Sequence, residues 1–139
     1  MKTRVATAAD WKTVPLPDRY AVLTPDFSLD AAESALMRQG MIPLEMEDKW
    51  FLYCEGDTLH VHRSWSGICF AQVDFVPCGE GLRAVSAKFN REPEQYVGID
   101  DQSGIKLIEQ MVRGLHAWQR HVEDFVSVMD YPSRAREQE

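Results

Sequence analysis

The chain has 139 residues, a formal charge of −7, 45% hydrophobic and 27% charged side chains, which is the size of one domain with ordinary globular composition and excludes a disordered or fibrous body. The acidic balance excludes nucleic acid as the main partner, because that affinity rests on clustered Lys and Arg. No apolar run approaches the roughly 18 residues of a membrane span, and the basic start Met1-Lys2-Thr3-Arg4 has no apolar stretch behind it.

Residues 1 to 27 carry Pro15, Pro17 and Pro25 among scattered apolar residues such as Trp11, Tyr20 and Phe27, which predicts an extended segment wrapped on the domain without regular structure. Ser28 reads as the N-cap of a short helix bearing Leu29, Ala32, Leu36 and Met37, stopped by Gly40. From Lys49 the hydrophobic period changes to two. Turn signals at Glu55-Gly56-Asp57, Ser64-Trp65-Ser66-Gly67 and Pro77-Cys78-Gly79-Glu80-Gly81 divide residues 49 to 89 into about four short antiparallel strands.

Alternation assigns the faces of those strands. Cys69, Ala71, Val73 and Phe75 share one face of the third strand against Phe70, Gln72 and Asp74, and Val85, Ala87 and Phe89 oppose Ser86 and Lys88 in the fourth. In the second, Leu59, Val61, Arg63 and Trp65 point one way and His60, His62 and Ser64 the other, so the polar face should align with Gln72, Asp74, Ser86 and Lys88. Trp50 lies opposite in sense to Phe51 and Tyr53. An aromatic on the uncovered face needs a cover, for which the N-terminal segment, a second copy of the chain in a homodimer, or a ligand are the candidates, the segment first.

Asp100 or Asp101 caps a long helix in which Ile105, Ile108, Met111 or Val112, Leu115, Trp118, Val122, Phe125 and Met129 form an apolar stripe. Gly114 inside that stripe implies close packing or a small bend. Pro132 ends the order and residues 131–139 read as a flexible tail. The fold class is therefore α+β: one domain over 1–139, an antiparallel β-meander covered on one face by a long C-terminal helix and a short N-terminal helix. Cys54, Cys69 and Cys78 form no CxxC pair, which fits free thiols in the reducing cytoplasm.

The densest run of unusual side chains is Leu59-His60-Val61-His62-Arg63-Ser64-Trp65-Ser66-Gly67, next to Lys49-Trp50-Phe51-Leu52-Tyr53 across a hairpin. With Tyr96-Val97-Gly98-Ile99-Asp100-Asp101 and Lys106-Leu107-Ile108, these residues resemble a little-characterised family of small bacterial domains marked by an HRSW-[ST]-G motif. Members of that family occur alone and beside macrodomain or ADP-ribosylglycohydrolase segments. The similarity spans roughly residues 45 to 115 and implies an ADP-ribose-related setting without a mechanism.

Physically, the motif offers the Arg63 guanidinium for a bidentate grip on an anion, the Ser64 hydroxyl, backbone donors near Gly67 and the Trp65 indole for stacking, with His62 and Tyr53 beside them. The structural alternative has Arg63 bridging to Glu47 or Asp48, Trp65 packed at a strand end and Gly67 permitting a tight turn. His60 and His62, two apart on a strand, could approach one metal with Asp74, but no HExxH or Cys/His knuckle accompanies them and no metal or cofactor is expected. Ser64 or Ser66 with a histidine, or a cysteine, would be the nucleophiles, yet no GxSxG elbow is present. Asp100 and Asp101 read as helix caps, and His116 and His121 as solvated.

The leading expectation is a non-enzymatic binding module for a protein partner or an ADP-ribose-like nucleotide, using Arg63, Ser64, Trp65, Gly67, His62 and Tyr53. One alternative is a small hydrolase acting on an ADP-ribosyl nucleotide or target, with His62, Arg63 and Asp74 as working groups. Another is an immunity or antitoxin protein capping a basic toxin, supported by the acidic charge.

Overall fold

A computed structural model describes residues 5–95 and 100–124. After a single 3-10 turn at Ala8–Asp10, the elements are Tyr20–Leu23 (β1), Ser28–Leu29 (β2), Ala31–Gln39 (α1), Trp50–Glu55 (β3), Thr58–Arg63 (β4), Cys69–Cys78 (β5), Gly81–Asn90 (β6) and Asp101–Arg113 (α2). The class is α+β, with a six-stranded antiparallel sheet in the order β1-β6-β5-β4-β3 and β2 beside β1 on the edge of β6.

The four strands expected between 49 and 89 are β3 to β6, and the other two correct the reading of the N-terminal region. Segment 1–27 is not without regular structure: β1 pairs with β6 from Tyr20↔Asn90 to Leu23↔Ala87. Ser28 is not an N-cap but opposes Arg83, with Leu29 opposite Leu82. Both corrections have one cause. The outer edge of β6 carries open backbone groups that need partners, and an extended, proline-rich chain can supply them where a helix cannot.

Helix α1 accordingly starts two residues later than expected. Asp30 is its cap, accepting from the Glu33 amide at 2.8 Å while Glu33 accepts from the Asp30 amide at 2.9 Å, a reciprocal capping box. Gly40 ends it as expected, at φ +76°. Asp100 caps α2 through the Ser103 amide and hydroxyl, each at 2.9 Å. Gly114 is a turn residue at φ −84°, ψ −2° that ends α2, and helical structure resumes over 115–124; a Cβ there would meet only the carbonyls of Gln110 and Met111, so close packing against a strand is not what the glycine serves. Phe125, Met129, Tyr96 to Ile99 and the tail 131–139 lie outside the described residues.

Ile108, Val112 and Leu115 join Leu52, Leu59, Val61, Ala71, Val73, Phe89 and Met37 in one core between the helices and a sheet face. Arg113 ties the helices together, 2.8 Å from Glu33 on α1 and 2.8 Å from Glu109 on its own helix. Two bulges upset the simple alternation. Phe70 is the extra residue where Val61↔Ala71 is followed by His62↔Cys69, and it packs into the core at 5.2 Å from Trp50 and 5.6 Å from Phe89. Val85 is extra where Asp74↔Ser86 is followed by Phe75↔Ala84, so Ala84 is buried in its place and Val85 is exposed.

The opposite sheet face matches the polar pattern: His60 opposes Gln72, Gln72 opposes Lys88 and Asp74 opposes Ser86. Ala6, Trp11 and Ile42 cover Phe51 and Tyr53 there in a second, smaller cluster, so the N-terminal segment is the cover. Among the described residues no helix is long and apolar enough to cross a membrane.

Candidate functional site

The corner between β4 and β5 is built on Gly67, at φ +78° with its amide 2.9 Å from the Arg63 carbonyl; a side chain there would strain the backbone and press on the Lys12 carbonyl. Most of the corner's polar groups are engaged within the chain. The Ser64 hydroxyl donates to the Asp48 carbonyl at 2.6 Å, and the Ser64 carbonyl accepts from the Trp11 indole at 2.6 Å. The Gly67 carbonyl accepts from the Val14 amide at 2.8 Å and from His62 Nδ1 at 2.9 Å. These bonds tether both the 44–49 loop and the N-terminal segment.

Arg63 takes neither structural partner expected of it. Its guanidinium lies 4.8 Å over the Trp50 ring, while the Asp48 carboxylate accepts from the amides of Leu44 and Glu45 at 3.0 Å each. Trp65 is not packed at a strand end either. It is 59% exposed, with its indole donating to the Met46 carbonyl at 2.9 Å and Lys49 Nζ 5.1 Å over its ring.

Of the six residues singled out from the sequence, the structure keeps Arg63, Ser64, Trp65 and Gly67 at the corner and carries His62 and Tyr53 to the polar sheet face. There they meet His60 and Gln72 in an open cavity of about 410 Å³, with Thr13, Val14, Pro15 and Leu16 as a wall. The wall is a strap held at one end by the Val14–Gly67 bond and at the other by the Arg91 amide on the Arg19 carbonyl at 2.9 Å. Tyr53 stacks on His60 at 4.6 Å and 2° and lies near-parallel to His62 at 5.7 Å and 14°.

The hydrogen bonds define what this cavity offers. A carbonyl can only accept, so His62 Nδ1 carries the proton and Nε2 is a lone-pair acceptor in the neutral ring. His62 is 3% exposed, and its Nε2, the Tyr53 hydroxyl and the Gln72 amide have no partner among the described residues. His60 Nε2 contacts Glu55 at 3.2 Å, leaving Nδ1 as its acceptor by the same logic. Burial, with Glu55 next in effect, pushes the Tyr53 hydroxyl above its usual value, so it stays a donor at neutral pH.

Both imidazoles are held below 6.5, in each case chiefly by burial. Nearby His60 lowers His62 further against the opposing Gly67 bond, while Glu55 and Asp74 partly offset the effect at His60. The unfolded chain then binds protons that the native chain does not. Their contribution to stability is full above 6.5 and is lost as pH falls from there through the folded values. The urea midpoint should therefore drop between about pH 7.5 and about pH 5.5, and the drop should shrink in a His60→Gln/His62→Gln variant; an equal slope in both proteins would locate the dependence elsewhere.

His62, Arg63 and Asp74, the working groups of the hydrolase reading, do not converge here. Arg63 points to the sheet face opposite His62, and Asp74 Oδ1 accepts from the Thr58 hydroxyl at 2.8 Å. Burial pushes the Cys54 and Cys69 thiols up to about 12, where they are poor nucleophiles. Among the described residues no group of three or more His, Cys, Asp or Glu is placed to hold a metal ion. Sequence reasoning missed Gln72 and the 13–16 wall as site components. The parity of Gln72 with His60 was a usable signal; the wall had none, because a backbone bond across 53 residues places it. Comparison of the chain with protein-family models, curated proteins and solved structures finds no match.

Proposed function

We infer that the protein is a non-enzymatic binding module acting in the cytoplasm, and that its ligand, of the ADP-ribose-like nucleotide class, seats in the cavity over Tyr53, His60, His62 and Gln72. The observation that carries this reading is His62: a nearly buried imidazole, fixed in one tautomer, whose remaining nitrogen has no protein partner. Unlike Ser34 Oγ and Gln39 Oε1, the sealed unpaired side-chain atoms among the described residues, His62 Nε2 opens on the cavity, where it can accept a hydrogen bond from a ligand. The nucleotide class comes from the resemblance carried by His62-Arg63-Ser64-Trp65-Ser66-Gly67, and the compartment from the free Cys54, Cys69 and Cys78.

Titration calorimetry with ADP-ribose, followed by analysis of the recovered ligand, tests the reading. Binding with intact recovery is expected. Tyr53→Phe and Gln72→Ala should each weaken it by about 1–2 kcal/mol through one lost hydrogen bond, while Arg63→Lys, on the other face, should leave it unchanged. Consumption of the ligand would favour the hydrolase instead, and wild-type affinity in both pocket variants would remove the cavity as the site.

A further inference from the structure

The polar sheet face is ordered across the strands as well as along them. Tyr53 stands opposite His60, His60 opposite Gln72, Gln72 opposite Lys88 and Lys88 opposite Val22. A phenol, an imidazole, a carboxamide and an ammonium therefore form one row perpendicular to the strands. The first three line the cavity. Lys88 stands one strand beyond, partly buried, with Nζ 5.3 Å from the centre of the Tyr20 ring and no carboxylate partner among the described residues. An ammonium resting on an aromatic face keeps its charge and its remaining donors for an anion.

We propose that this row recognises a nucleoside 5′-monophosphate unit, with the base in the cavity and the phosphate on Lys88. The proposal rests on the cavity being the ligand site and names the part of the ligand it reads. His60 and Lys88 are separated by two strand spacings, roughly 10 Å, a span that fits the distance from the far edge of a nucleobase to its 5′ phosphate. The cavity itself suits a base better than an anion. Its side chains are neutral, offering the His62 Nε2 acceptor, the Gln72 donor and acceptor and the Tyr53 donor to a base edge, with Tyr53 and His60 as aromatic surface. A parallel row two residues along holds Glu55, Thr58, Asp74 and Ser86, whose carboxylates repel a phosphate from that side. Lys88 is the cation of its own row. With a chain charge of −7, an isolated phosphate gains nothing from the overall field, so the base must anchor the ligand.

Adenosine, uridine, their 5′-monophosphates and inorganic phosphate, titrated calorimetrically into the full chain and into Lys88→Gln, separate the claims. For at least one base, the monophosphate should bind roughly tenfold more tightly than its nucleoside, and inorganic phosphate alone should not bind. Lys88→Gln should reduce the monophosphate to the affinity of the nucleoside and leave the nucleoside unchanged. Equal affinity of nucleoside and monophosphate for the wild type would overturn the phosphate contact while leaving the cavity as a site. Equal weakening of both ligands by Lys88→Gln would also overturn it, since that is the mark of a structural lysine. If neither nucleosides nor monophosphates bind, this proposal falls, and intact binding of ADP-ribose in the earlier experiment shows whether the cavity reading falls with it.

Discussion

Gly81→Ala is expected to destabilise the protein by about 3–5 kcal/mol, far more than a glycine-to-alanine change costs in an ordinary strand. Gly81 opens β6 opposite Cys78, and a Cβ there would overlap the Leu29 carbonyl oxygen and lie 2.9 Å from the Asp30 carbonyl carbon. Both obstacles are backbone, so neither can swing aside as a side-chain end would. Relief would require β2 to leave the edge of β6, and Asp30, which caps α1, would move with it. Gly79 supplies the control. It lies in the same hairpin at φ +59° with nothing within 4 Å of an added Cβ, so Gly79→Ala should cost only about 1 kcal/mol of left-handed strain. Equal urea midpoints for the two variants would show that β2 does not press on Gly81 in solution.

Val112→Asp should cost at least as much, about 4 kcal/mol or more near neutral pH. Val112 is 1% exposed in the core with Ile108 and Leu115, where its neighbours in the cluster are apolar. A carboxylate there is either charged and unpaired or protonated at a raised pKa. In the second case the native chain holds a proton that the unfolded chain releases above about pH 4, so the loss of stability should deepen as pH rises, opposite in sign to the effect of the two histidines. Gln110→Asp, on the exposed side of α2, controls for lost helix propensity and should cost well under 1 kcal/mol. Denaturation at acidic and at slightly alkaline pH reads both the size and the slope, and a Val112→Asp variant as stable as Gln110→Asp would place α2 off the sheet.

These two variants probe the assembly on which the cavity depends. Packing of α2 on one sheet face leaves the other to display His60, His62, Gln72 and Lys88, and closure of the β6 edge by β1 fixes the far end of the strap lining the cavity. A cavity variant that loses affinity with an unchanged urea midpoint is therefore informative about recognition. A core variant that loses both reports on the scaffold.

Local chemistry by itself determined the antiparallel β3 to β6, the stop at Gly40, a cap at Asp100 or Asp101, the sorting of Trp50 from Phe51 and Tyr53, and the alignment of His60 with Gln72 and Gln72 with Lys88. Each follows from period, glycine freedom or capping side chains within a few residues, which is the range over which sequence acts directly on backbone. Tertiary structure alone decided the rest. Phe70 turned into the core and Val85 out of it because bulges at 61/62 and 74/75 adjust one strand to its neighbour, and a bulge leaves no mark in alternation. Tyr20–Leu23 and Ser28–Leu29 became strands because the edge of β6 lacked partners, a demand set some sixty residues away. The residues of the HRSWSG run were parted by the same kind of constraint. The alternation of His62 away from Arg63 was legible in the sequence, but Ser64 and Gly67 were taken up in tethering two loops and the 13–16 strap was laid beside His62 and Tyr53 by backbone bonds between distant segments.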